Sequence, residues 1–285
     1  MHHSLRIPSS VLLLAVVVAL PANAAIEQTL DKNFNVAPGS VVKVDVSGAP
    51  IRATVGPAGS ARLVLKEKFR TADAAEAEKL LENFEITCTQ QGEEVKILVK
   101  EKKGLGFRWG FSNKVEFAAE VTVPADVRLD LDTSGGSISV AGEMTASVRA
   151  DTSGGSIEVD GGADLNLDTS GGSIRVHRAL GKLRADTSGG GITVDLIDAN
   201  AIDVNLDTSG GSIHVNVDPA AKLNIVGDTS GGRVRVEGFT NFVVEKKDDD
   251  HVSGRLNGGG GRLRADTSGG SIRIEPASAA AAARK

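Results

Sequence analysis

The sequence predicts an all-β protein: a β-solenoid of stacked coils of about 17–21 residues, closed at one end by a strand-rich N-terminal region with one short helix. Three observations carry this reading. The string Asp-Thr-Ser-Gly-Gly occurs seven times, with its acid at Asp132, Asp151, Asp168, Asp186, Asp207, Asp228 and Asp266. The steps between copies are 19, 17, 18, 21, 21 and 38 residues, and a period near 20 marks a stacked repeat. Apolar and polar residues alternate on both sides of each copy, so each has two strand-like arms with one buried face.

Residues 1–24 read as a secretory signal rather than as fold. Arg6 precedes the apolar run Val11 to Leu20, then come Pro21 and the small-residue cleavage motif Ala22-Asn23-Ala24. The run has ten residues, too few to span a bilayer. The expectation is an exported chain, periplasmic or extracellular. Lys and Arg total 32 and Asp and Glu total 37, a net charge of −5, which argues against a nucleic-acid partner. Hydrophobic residues make up 40 %, enough for a core. The single cysteine, Cys88, excludes a disulfide framework or a thiolate zinc site, and its place in a strand-like alternation reads as a packed thiol.

Residues 25–125 read as the capping region. Strands are expected over Val41–Val46, Arg62–Phe69, Phe84–Thr89, Glu94–Glu101 and Lys114–Val123. A helix is expected near 73–83, because Asp73 and Glu76 form a capping box and Ala74, Ala77, Leu81 and Phe84 share one side. Ser47-Gly48-Ala49-Pro50-Ile51-Arg52 echoes the repeat and reads as a starter coil. Residues 104–111 carry Phe107, Arg108, Trp109 and Phe111 among glycines. Two readings stand for them: a tip that binds a partner, a glycan or a lipid surface, or rings folded back on the local core. The tip is the one feature expected to touch a membrane.

Residues 126–275 hold the repeats, and 276–285 read as a disordered tail. The position before each Asp runs Leu131, Ala150, Leu167, Ala185, Leu206, Gly227, Ala265, large against small, which interlocks neighbouring layers. The Gly pair is expected to turn the corner with positive φ. Asp249 to Leu256 reads as a worn eighth copy, and Ile272 to Pro276 as the far edge, weakly blocked and open to end-to-end association.

Stacked carboxylates repel, by about 3 kcal/mol for a pair 5 Å apart at an effective dielectric of 20. Two compensations are open. Each Asp could accept turn amides, a structural role; alternatively the row could hold calcium, although one carboxylate and one hydroxyl per coil supply too few oxygens. No cofactor or metal is expected. His177 and His214 read as solvated strand or turn residues, and no Ser-His-Asp or Cys-His grouping assembles from the spacing.

The repeated Thr-Ser-Gly-Gly-Ser-Ile-x-Val, behind a signal and a lead-in ending Val121-Thr122-Val123-Pro124, resembles the bacterial putative-adhesin family. That family is of uncharacterised function, and the resemblance implies a secreted β-solenoid with no catalytic residues. The expectation is a non-enzymatic binding or structural module of the cell envelope, partnered by an envelope glycan or envelope protein. Two other classes remain open: a polysaccharide-cleaving parallel β-helix, and a regulatory periplasmic partner in envelope-stress signalling.

Overall fold

The computed structural model describes residues 25–102, 114–197 and 203–277. The signal segment, the 104–111 tip and residues 278–285 of the tail lie outside the described residues. The N-terminal part runs β1 (Ile26–Asn35), β2 (Val41–Val46), β3 (Ile51–Val55), β4 (Ser60–Phe69), α1 (Ala74–Leu81), β5 (Phe84–Gln91), β6 (Glu94–Glu101) and β7 (Val115–Val123). The repeats then contribute strands in pairs: β8 (Arg128–Thr133) and β9 (Ile138–Ala141), β10 (Val148–Thr152) and β11 (Ile157–Val159), β12 (Gly162–Thr169) and β13 (Ile174–Val176). Next come β14 (Ala179–Thr187) and β15 (Ile192–Leu196), β16 (Asp203–Thr208) and β17 (Ile213–Val217), β18 (Leu223–Thr229) and β19 (Val234–Val236). A hairpin of β20 (Phe242–Lys247) and β21 (His251–Leu256) precedes the last pair, β22 (Gly261–Thr267) and β23 (Ile272–Pro276).

The described chain is nearly all β, in two large mixed sheets of 11 and 12 strands. First arms of the repeats lie in the 12-stranded sheet and second arms in the 11-stranded one. Neighbouring arms pair parallel and in register, Asp against Asp and Ile against Ile. Their inward residues, such as Leu131, Leu167, Ile157 and Val194, are fully buried between the sheets. The starter segment behaves as a layer of its own: β2 pairs with β8 and β3 with β9. β6 and β7 then cover it by pairing with β2 and β3.

The layers do not follow the order of the sequence. β22 lies between β16 and β18, and β23 between β17 and β19. The last repeat is therefore wedged between the fifth and the sixth. In space, the position before each Asp runs Leu131, Ala150, Leu167, Ala185, Leu206, Ala265, Gly227. In this order Leu and Ala alternate from Leu131 to Ala265, and Gly227 comes last.

Three expectations are corrected here. The Asp249 segment is not a coil: β21 runs antiparallel to β18 and forms a hairpin with β20 over that end of the sheet. Ile272–Pro276 is interior rather than an edge; the outermost repeat strand of that sheet is the three-residue β19. Such a short edge offers little template for another chain. The third correction concerns β1, which precedes Val41–Val46, the first strand expected in the capping region. Its inward residues, Ile26, Gln28, Leu30, Lys32 and Phe34, mix polar with apolar and stay only half-buried, so the hydrophobic alternation is weak.

Helix α1 buries Ala77 and Leu80. Asp73 caps it by accepting from the Ala75 amide at 2.9 Å. The other half of the capping box is absent: the Glu76 carboxylate instead takes the Thr71 hydroxyl at 2.6 Å and the Lys114 ammonium at 2.8 Å.

Candidate functional site

The corner of each layer is built by the residue after the Asp. Each repeat Thr is buried, and its hydroxyl donates to the carbonyl of the preceding layer's second Gly, or of Ala49 in the starter, at 2.7–2.9 Å. The same oxygen accepts from the amide of its own second Gly at 3.2–3.4 Å. The turn amide thus goes to Thr, and the expected role of Asp as its acceptor is overturned. The reason is position: Thr points inward at the corner, while Asp, one residue earlier, points out.

The repeat glycines are also corrected. None has positive φ. The second Gly is required by close approach, since a Cβ on Gly172 would lie 1.9 Å from the Gly155 carbonyl oxygen. Ala49 stands in that position in the starter segment, and its carbonyl is what a Cβ on Gly136 would strike.

All seven repeat acids line up on the outer face of the 12-stranded sheet, with Asp45 of β2 as an eighth member. In spatial order the row is Asp45, Asp132, Asp151, Asp168, Asp186, Asp207, Asp266, Asp228. Beside it, two residues earlier on each strand, runs Asp130, Arg149, Asn166, Arg184, Asn205, Arg264, Val226. The wedge completes this pattern, placing an Arg on every second layer.

Those arginines sort the acids. Arg264 meets Asp266 at 2.7 Å, Arg184 approaches Asp186 to 3.5 Å and Arg149 approaches Asp151 to 3.9 Å. At the ends, Lys100 pairs with Asp45 at 2.7 Å and the His251 ring with Asp228 at 2.5 Å. Asp132, Asp168 and Asp207 lie between, and among the described residues none of them has an ion-pair partner; Arg128, on the Asp132 strand, donates instead to the Gly39 carbonyl at 3.1 Å. Partial burial first, and the neighbouring carboxylates second, raise their pKa values above the ordinary aspartate range.

A raised carboxyl pKa means the fold favours the protonated form. Stability associated with these groups is full below the unfolded-chain pKa and declines as pH rises through the folded one. Asp207→Asn should therefore raise the melting temperature at pH 7, by an amount worth about 0.5 kcal/mol for so exposed a group. The gain should vanish below about pH 3.5, where the unfolded-state carboxyl is also protonated. Differential scanning calorimetry across that range checks it; a gain independent of pH would refute the electrostatic cause.

Among the described residues, no group of three or more His, Cys, Asp or Glu is arranged to hold a metal ion. The histidines are engaged locally. His177 lies 2.9 Å from Glu158 and His214 2.9 Å from Glu275, so both are carboxylate-paired rather than simply solvated. Cys88 is half-buried, and burial raises its thiol pKa.

A second feature escaped the sequence reading. A cleft of about 950 Å³ opens between the ends of β1, β4 and β7 on one side and Phe84, Glu101 and the Ser47–Pro50 turn on the other. Phe84 and Phe117 meet edge to face there, with centroids 4.8 Å apart. Glu67 lines this cleft at 6 % exposure. Desolvation pushes its pKa up to about 7. The signal was present in β4: the inward row reads Leu63, Leu65, Glu67, Phe69, an acid at an apolar position.

No known family profile matches the chain, and no curated protein matches it. Solved structures do. A putative cell adhesion protein from Clostridium sporogenes shares 11 % identity with a TM-score of 0.38, covering 87 % of this chain and 99 % of that one. A putative adhesin from Parabacteroides merdae shares 11 % identity at a TM-score of 0.43, covering 86 % and 95 %. A putative lipid binding protein from Parabacteroides distasonis shares 10 % identity at 0.30, covering 86 % and 96 %. The chain is thus similar over most of its length to structures named for adhesion or lipid binding. At these scores no site or ligand is carried over. Among the described residues, no helix is long and apolar enough to cross a membrane.

Proposed function

We propose that this chain is a non-enzymatic β-solenoid that binds a repetitive glycan of the bacterial cell envelope along its arginine and aspartate face. The observation that supports the reading is the Arg row. Arg149, Arg184 and Arg264 stand on every second layer, so they recur at about 10 Å, twice the strand spacing. That interval is close to the length of one disaccharide unit. Arg149 and Arg184 hold their aspartates only at 3.5–3.9 Å, and both remain more than half exposed. Their planar donor forks are exposed to donate to the hydroxyl and ring oxygens of a sugar, whose own hydroxyls can donate to the aspartates beside them. Asp130, Asn166 and Asn205 alternate with them, and a sugar hydroxyl can donate to any of the three. Each contact is weak, and affinity comes from repetition along a rigid face. Seven near-identical layers suit a binding ladder, whereas catalysis needs one site unlike the rest.

Co-sedimentation of the chain with insoluble peptidoglycan tests this. Changing one of the three arginines to Ala should weaken retention by about threefold, and changing all three by roughly 30-fold or more, as multivalent contacts compound. Retention of the triple variant at the wild-type level would refute the proposal.

A further inference from the structure

We propose that the cleft between the β1–β4–β7 ends and the first corner is a second, separate binding site, and that it takes an organic ammonium ligand: the ammonium on Glu67 and an apolar body against Phe84 and Phe117. The site shares no residue with the arginine row.

The first argument is the isolation of Glu67. The residue is 6 % exposed, and among the described residues no hydrogen bond or ion pair engages its carboxylate, whose oxygens are reached by solvent only through the cleft. Buried carboxylates are normally paired, because desolvating a charge costs several kcal/mol. The two lysines in the lining do not serve it: Lys66 is held by Glu120 at 2.6 Å and Lys68 lies 3.7 Å from Glu27. A ligand cation would supply the missing partner.

The second argument is the sign of the surroundings. Glu27, Glu101 and Glu116 also line the cleft, giving four carboxylates to two ammoniums. An anionic amphiphile would enter against that field, and a cationic one along it. The third is shape and surface. A volume of about 950 Å³ suits a small organic molecule. Phe84 and Phe117 present ring surface to it, and aromatic rings attract ammonium groups as well as alkyl chains.

Isothermal titration of the full chain with three probes of equal length tests the site: octylammonium, octanoate and octanol. Octylammonium should bind at least about tenfold tighter than the other two. Glu67→Gln should weaken octylammonium by about tenfold and leave octanol unchanged. Because the substitution removes a buried charge, the variant should fold at least as well as the parent. Phe84→Leu gives a second readout, weakening all three probes together. The triple arginine variant should bind octylammonium normally, so failure of the glycan reading and failure of this one are distinguishable. Equal binding of octanoate or octanol, an unchanged Glu67→Gln affinity, or no binding of any probe would overturn the proposal.

Discussion

Replacing Gly172 by Ala should lower the melting temperature by on the order of 10 °C, whereas the same change one residue earlier, at Gly171, should leave it within about 2 °C. The two glycines are adjacent, equally small and in the same corner. What differs is the neighbour. A Cβ on Gly172 would sit 1.9 Å from the carbonyl oxygen of Gly155, which is backbone and cannot swing aside. The same carbonyl accepts the Thr169 hydroxyl at 2.8 Å, so moving it also breaks the corner bond. Overpacking of this kind costs about 3 kcal/mol. In a chain of this size each kilocalorie corresponds to roughly 2–4 °C. At Gly171 the nearest atom to a Cβ is the Ser153 oxygen at 3.5 Å, an ordinary contact. There the lower entropy of the unfolded chain makes Ala neutral or mildly stabilising, by about 0.5 kcal/mol. Thermal unfolding of the two variants decides the matter. Equal losses would show that the corner, not the close approach, sets the requirement.

The second large effect follows from the wedge. A chain ending at Gly260 lacks β22 and β23. It should associate further than the full chain, and residues 223–256 should lose amide protection by about 100-fold, an opening cost lower by roughly 3 kcal/mol. Removal leaves β16 and β17 facing β18 and β19 across an empty layer. Four strand edges with unpaired backbone groups are then exposed, the usual template for recruiting another chain. A peptide of residues 261–277 added in trans should reverse both effects by strand addition. Light scattering and hydrogen exchange read the outcome. If the truncated chain matches the full one in mass and in protection, the layer order described here is wrong.

Much of this architecture is legible in the residues. The alternation around each Asp places the arms, and the Leu/Ala row states that layers interlock. Ala49 marks the beginning of the stack, because it occupies the one corner whose Cβ has no earlier glycine carbonyl to strike. Even the wedge leaves a trace. Ala265 continues the Leu/Ala row when it follows Leu206, with Gly227 displaced to the end. The order itself was not legible, because the repeats share one motif and any copy can pair with any other. The Asp249 segment misled for a related reason: Asp249-Asp250-His251 imitates a worn corner, while residues 248–250 instead turn the chain between β20 and β21. The corner chemistry was misassigned because Asp and Thr are adjacent, and only three dimensions tell which points inward. Glu67 stood out of pattern in β4, but an isolated acid in a strand says nothing about a cleft until β1 and Phe84 close over it.

The wedged layer also decides how the molecule meets force. Tension transmitted through Pro276 does not reach the outermost layer, where a strand could peel away one bond at a time. It reaches a strand gripped on both flanks, by β17 and by β19. Extraction must shear two ladders together, so the carboxyl-side grip point is among the hardest places to begin unravelling the stack.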